Sequence, residues 1–299
     1  MDMCQLTKLP KDQVDCIIRF IKEKRESPEL EETYVNPLLR EDILTLLDSY
    51  CTVIYYPVPE PEQGNNGFHV QYPTDRGSRN FVYINTNQTK EKQIFTAAHE
   101  LGHIWRLEQY IQQELGIALT HDQEENVMNR FAAELLMPME RCIPFILRTR
   151  ESLPHEKDTM RVVDILHLAA AIMNEYFVPY KSVVRRLFEL NFLPEDSALL
   201  LLGRREELSM EAIRECLKGI ARAEGYSRLF QEPDKRKWIE GLKELLDQAE
   251  ERGGFPAARI EAVRKRFDLN AAVPDAALSN PIPLEEEKGA DSDAETGGH

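Results

Sequence analysis

A chain of 299 residues with 42% hydrophobic and 30% charged side chains is long enough to enclose its own core, as one large domain or two modest ones. Its formal charge of -15 argues against a protein that grips nucleic-acid phosphates over a broad surface, and no apolar run approaches the roughly 18 residues of a membrane span. The start, Met1-Asp2-Met3-Cys4-Gln5-Leu6, has no basic region leading into an apolar signal core, so a cytoplasmic location is expected.

Residues 10–48 read as two packing helices. The first opens at Pro10, carries Val14, Ile17, Ile18 and Ile21 at helical spacing and should end before Pro28; the second follows Asn36-Pro37, with Leu38, Leu39, Ile43, Leu46 and Leu47 inward. Between 50 and 86 the period changes to that of strands at 51–56, 68–72 and 81–85, separated by turn-rich stretches. A small antiparallel sheet is expected, its last strand leading through 85–89 into the next element, with Thr89 or an earlier Thr or Asn as helix cap.

That element holds His99-Glu100-Leu101-Gly102-His103. On a helix the four-residue spacing leaves the two imidazoles about 40° apart on one face, one turn above the other. Two convergent imidazoles are most of a zinc site, and Glu100, about 100° round from His99, is placed to take a proton from water rather than to bind the metal. The opposite face, Ile94, Ala98, Leu101 and Trp105, is an apolar stripe. Residues 106–122 should complete this helix and cross the mouth of the site.

Residues 123–137 form a further helix stopped by Pro138. Glu125, Asn129 and Ala132 share one face, with Met128, Phe131 and Leu135 beside them. A carboxylate one turn before an amide, on a helix that crosses the first at small residues, suits Glu125 as third metal ligand and Asn129 as hydrogen-bond partner of an imidazole. Glu124 and His121 are alternative ligands. Arg106, Tyr110 and His121 are candidates for holding an oxyanion, whereas His69, His155 and His167 have no ligand-spaced partner and read as surface or satisfied histidines.

Thr96-Ala97-Ala98-His99-Glu100-Leu101-Gly102-His103, followed by Glu125-x-x-x-Asn129-Arg130-Phe131-Ala132-Ala133-Glu134-Leu135-Leu136-Met137-Pro138, resembles the ImmA/IrrE metallopeptidases. The resemblance extends over about residues 50–200, since the stretch from Phe177 to Leu187 is similar to the helical element that follows the active site in that family. It implies an α+β, zincin-like fold and a zinc-dependent endopeptidase that cuts a helix-turn-helix repressor and so derepresses mobile-element or stress genes. His99, His103 and Glu125 match the ligand positions and Glu100 the catalytic glutamate. Two departures are Met128, where alanine is usual, and Ile94, where arginine is common.

The expected organisation is N-terminal helices over 1–49 packed on the peptidase, a zincin-like domain over 50–203, a helical extension over 204–270, with helices at 206–223, 236–251 and 256–267, and an acidic flexible tail over 271–299. Five scattered cysteines, Cys4, Cys16, Cys51, Cys142 and Cys216, suit reduced thiols rather than a disulfide framework. One alternative to hydrolysis is a zinc-stabilised protein that binds and sequesters a regulator. Another, DNA binding through Lys181, Arg185 and Arg186, is opposed by the net charge.

Overall fold

The computed structural model describes residues 6–27, 38–59, 66–74, 77–153 and 159–269. The chain divides into two compact units, Met1–Leu242 and Lys243–His299. In the first, α1 (Lys11–Arg25) and α2 (Asp42–Tyr50) precede strands β1 (Thr52–Tyr56), β2 (Gly67–Thr74) and β3 (Gly77–Asn85). Helices α3 (Lys90–Ile104), α4 (Leu107–Leu115), α5 (His121–Leu136), α6 (Met139–Glu151), α7 (Val162–Tyr176), α8 (Tyr180–Glu189), α9 (Glu195–Leu201) and α10 (Met210–Ala223) follow. In the second unit α11 (Leu242–Glu251) and α12 (Ala257–Arg266) are joined by Arg264, which donates to Asp247 at 2.6 Å and Glu250 at 3.0 Å. No single described helix is long and apolar enough to cross a membrane. Asn36-Pro37, Cys4, His155 and the acidic stretch 271–299 lie outside the described residues.

The fold is α+β, but the sheet is mixed rather than antiparallel. Its order is β1-β3-β2, with β2 antiparallel to β3 and β1 parallel to it. Successive strands alternate in direction, so the parallel pair arises because β3 inserts between the other two. Burial explains the insertion. Val82 and Ile84 of β3 are fully buried, whereas β2 leaves Phe68, Val70 and Tyr72 exposed and carries Pro73, which suits an edge.

Helix α3 is the hub, touching α2, α4, α5, β2 and β3. Its expected apolar back is in place: Ile94, Ala98 and Leu101 are fully buried and Trp105 nearly so. Trp105 meets Phe20, Tyr50 and Phe131 edge-on at 6.3, 5.8 and 6.0 Å between ring centres, a favourable arrangement for aromatic quadrupoles. Thr89 occupies the N-cap position of α3, although its side chain makes no capping bond.

Three expected helices are shorter than their apolar patterns suggested. The α3 helix ends at Ile104, because Arg106 takes a left-handed conformation (φ 58) and the chain restarts as α4, which packs on α1 instead of crossing the cleft. Residues 236–241 are not helical. Trp238 exchanges two 2.9 Å backbone hydrogen bonds with Tyr55 on the free side of β1, Lys235 N–H donates to the Thr86 carbonyl at 3.1 Å, and the Thr86 hydroxyl donates to the Arg236 carbonyl at 2.7 Å. These bonds hold the strap 231–241 in a non-helical path beside β1 that local periodicity does not reveal. The helix expected from 206 begins at Met210, where Ser209 accepts from Ala212 N–H at 3.2 Å as its cap.

Candidate metal centre

Helix α3 presents His99 and His103 one turn apart, their ring centres separated by 5.3 Å. Helix α5 faces them, its start fixed by a capping box in which Thr120 accepts from Gln123 N–H and the Gln123 side chain accepts from Thr120 N–H. The close approach of these helices requires Gly102. A Cβ there would lie 2.7 Å from Met128 Sδ and 3.0 Å from Phe131 Cδ1, so Met128 packs on the one position of α3 with no side chain.

Glu125 is thereby delivered to both imidazoles. Its Oε2 lies 3.3 Å from His99 Nε2 and its Oε1 3.6 Å from His103 Nε2. Donor atoms bonded at about 2.0–2.1 Å to a tetrahedral zinc lie about 3.3–3.4 Å from one another, so the spacing suits one ion between them. His99, His103 and Glu125 form the ligand-spaced group among the described residues. Glu124 and His121 are not part of it, although His121 lines the cleft.

Asn129 orients the first imidazole. Its amide nitrogen donates to the Glu125 carbonyl at 2.8 Å, leaving Oδ1 as acceptor 3.3 Å from His99 Nδ1. The proton of a neutral His99 therefore sits on Nδ1, and the Nε2 lone pair points at the cluster.

The charges are tuned by burial. Glu100 is 5% exposed, and burial, opposed by His99 and reinforced by Glu125, pushes its carboxyl up to about 7. Burial and the neighbouring His99 push His103 down to about 4. Burial also pulls on His99, but its hydrogen bond to Glu125, the nearby Glu100 and Asn129 outweigh that and raise its pKa. Glu125, hydrogen-bonded to His99, is lowered despite its partial burial. Two imidazoles, one carboxylate and a buried acid tuned to neutrality can hold a divalent metal beside a proton acceptor.

Residues 52–188 match the IrrE N-terminal-like domain of peptidase family M78. Over these residues the chain is similar to the ImmA/IrrE metallopeptidases. No curated protein matches the chain. The M78 domain thus begins with β1 and ends within α8, and it contains every residue of the metal-spaced cluster.

A cleft of about 1240 Å³ opens over the M78 cluster, with Glu100 in its wall. Edge strand β2 contributes His69, which sequence spacing does not connect to the site. Its ring stacks 6.4 Å from that of His103 and its Nε2 lies 3.0 Å from Asn80 Oδ1. Only the pairing of β2 with β3 brings it there. His167 instead lies 3.7 Å from Glu224. Of the oxyanion candidates, Tyr110 donates to Glu23 at 2.9 Å and packs on Phe20, away from the cleft. Arg106 caps α4 and does not line the cleft, whereas His121 does.

Behind α5 lies a buried ionic group. Glu134 accepts from Arg130 at 3.0 Å, from Arg186 at 2.7 Å and from Met139 N–H at 2.8 Å, while Glu189 pairs with Arg130 at 2.7 Å. Arg186 is 1% exposed, and Arg185 is 3.7 Å from Glu189. The arginines of α8 serve to fasten α8 to α5.

Proposed function

We propose that the protein is a zinc endopeptidase in which His99, His103 and Glu125 hold the metal and Glu100 is the general base, and that its substrate is a helix-turn-helix repressor. The observation that carries the hydrolytic part is Glu100 itself. A scaffold for metal has no need of a buried carboxyl tuned to about 7 on the cleft side of the ligand cluster, whereas a proton acceptor working near neutral pH does. Zinc, when bound, supplies Lewis-acid polarisation of the scissile carbonyl and of the attacking water. Glu100 takes the proton of that water and returns it to the departing amine. Asn129 holds the His99 ring with its Nε2 toward the metal.

The edge of β2 beside the cleft supports an extended peptide as substrate, because an unpaired strand can hold one by main-chain hydrogen bonds. The repressor rests on the resemblance of the two motifs to ImmA/IrrE peptidases, and such a substrate places the reaction in the cytoplasm.

The test uses Glu100→Gln, with the repressor encoded beside this gene as substrate and intact mass as readout. The variant keeps its zinc and its fold and loses several orders of magnitude in cleavage, because an amide takes no proton from water. If in the native cell Glu100→Gln relieves repression as fully as the unaltered chain, with the repressor intact in both, the protein sequesters its partner and hydrolysis is not its function.

A further inference from the structure

Nine residues of the cleft wall lie outside residues 52–188. Helix α10 contributes Met210, Ile213, Arg214 and Leu217, and the chain from Phe230 to Lys235 passes along the same wall. Its position is fixed by the strap's bonds to Tyr55 and Thr86 and by Asp234, which accepts from Gln93 at 3.3 Å and Lys90 at 3.4 Å on α3. At the start of α10, Gly203 (φ +66) lets Met210 pack against it, since a Cβ there would lie 2.5 Å from Met210 Cγ. This wall is therefore a built surface.

Its chemistry differs from that of the metal side. The buried Ile213 and Leu217 and the half-buried Met210 and Phe230 supply apolar surface to the cleft. Around them stand three exposed cations, Lys181, Arg214 and Lys235. None of the three is ion-paired among the described residues, and Glu215, the sequence neighbour of Arg214, is taken by Lys218 at 2.8 Å. Of the four glutamates in the cleft, Glu100 and Glu125 belong to the metal site and Glu91 is buried, which leaves Glu232 exposed, and the exposed Asp234 of the same segment is paired with Lys90. In a chain of net charge -15 the wall is a local reversal of sign, and such a cleft draws in groups of the opposite charge.

We propose that α10 and the strap form the specificity site of the cleft, which takes a bulky apolar side chain over Ile213 between Met210 and Phe230 and a carboxylate of the same peptide at Arg214 and Lys181. The inference rests on the peptidase reading and names its substrate class, an extended peptide segment that is apolar and acidic. A basic DNA-facing helix is disfavoured by the same cations, so the cut in a helix-turn-helix protein falls in an acidic stretch outside that helix.

The test measures binding apart from hydrolysis. Fluorescein-labelled, otherwise Gly/Ser peptides carry a central Phe flanked by two Glu, the same Phe flanked by two Lys, or Ser in place of Phe between the Glu residues. Each is titrated by anisotropy with the zinc-loaded full chain carrying Glu100→Gln. The Phe/Glu peptide binds about tenfold more tightly than either alternative, and the preference over the Lys peptide shrinks as salt rises. Adding Lys181→Glu and Arg214→Glu reverses the order of the two Phe peptides. Equal affinity for all three peptides, no binding at all, or a charge preference that survives the double reversal overturns the inference. The peptide series and salt titration leave the wall unaltered, so they stand even if the double variant fails to fold. Incubating the Phe/Glu peptide with the unaltered chain separates the two readings. Selective binding without cleavage leaves the specificity site standing and removes hydrolysis, whereas cleavage of all three peptides at one rate does the reverse.

Discussion

Substituting Gly102 by alanine tests whether the metal centre depends on the closeness of α3 and α5. The new Cβ would meet Met128 Sδ at 2.7 Å and Phe131 Cδ1 at 3.0 Å, whereas comfortable contact needs about 3.5–4.0 Å. The sulfur must therefore retreat by about 1 Å, and both Met128 and Phe131 are fully buried. Overpacking of this kind costs about 1–3 kcal/mol, or about 2–12 °C in melting temperature for a domain of this size. If the helices separate instead, Glu125 leaves the 3.3 and 3.6 Å spacing that it keeps to the imidazoles, and zinc affinity falls at least about tenfold. The assay is thermal melting in chelator and in zinc, together with a zinc competition titration. Gly102→Ala with Met128→Ala should recover zinc affinity, because the shortened side chain makes room for the Cβ. A single Gly102→Ala variant that melts and binds zinc like the unaltered chain would refute the claim that this contact sets the ligand geometry.

Glu125→Gln should weaken zinc retention strongly and Glu124→Gln hardly at all, as read by metal analysis after dialysis; the opposite order would move the ligand by one residue. Zinc uptake at pH 6 should release one proton from His99, whose raised pKa keeps it protonated there, and part of a second from Glu100, which sits at about 7 before the metal's charge draws it down. His103, at about 4, releases none, so affinity climbs with pH through the His99 value, and calorimetry in two buffers counts the protons; a count near zero contradicts the assignment. Glu134→Gln should destabilise the fold by about 3 kcal/mol in denaturant titration, the low end for a broken buried pair, because Glu189 still faces Arg130 and Arg186. A loss within about 0.5 kcal/mol, the usual range for a surface change, would show that the ionic group is not fastening the helices.

The two helices of the metal centre could be read from the sequence because their signals are local. A four-residue histidine spacing sets a shared face whatever surrounds it, the apolar stripe from Ile94 to Trp105 states which side is buried, and Pro138 marks the end of α5, whereas its start at the Thr120–Gln123 capping box, inside a stretch expected to continue the preceding helix, came from the structure. Glu125 was readable with rivals, since its alignment with Asn129 follows from helical geometry but its reach to the imidazoles depends on how closely two helices cross. Non-local hydrogen bonds and packing decided the rest. The parallel pairing of β1 with β3, the arrival of His69 beside His103, the strap on Tyr55 and the cationic wall from Lys181, Arg214 and Lys235 each join residues far apart in the chain. No sequence window contains both partners of such a contact, and where local preference disagrees, as in the helical pattern at 236–241, backbone groups bonded to a strand edge prevail over periodicity.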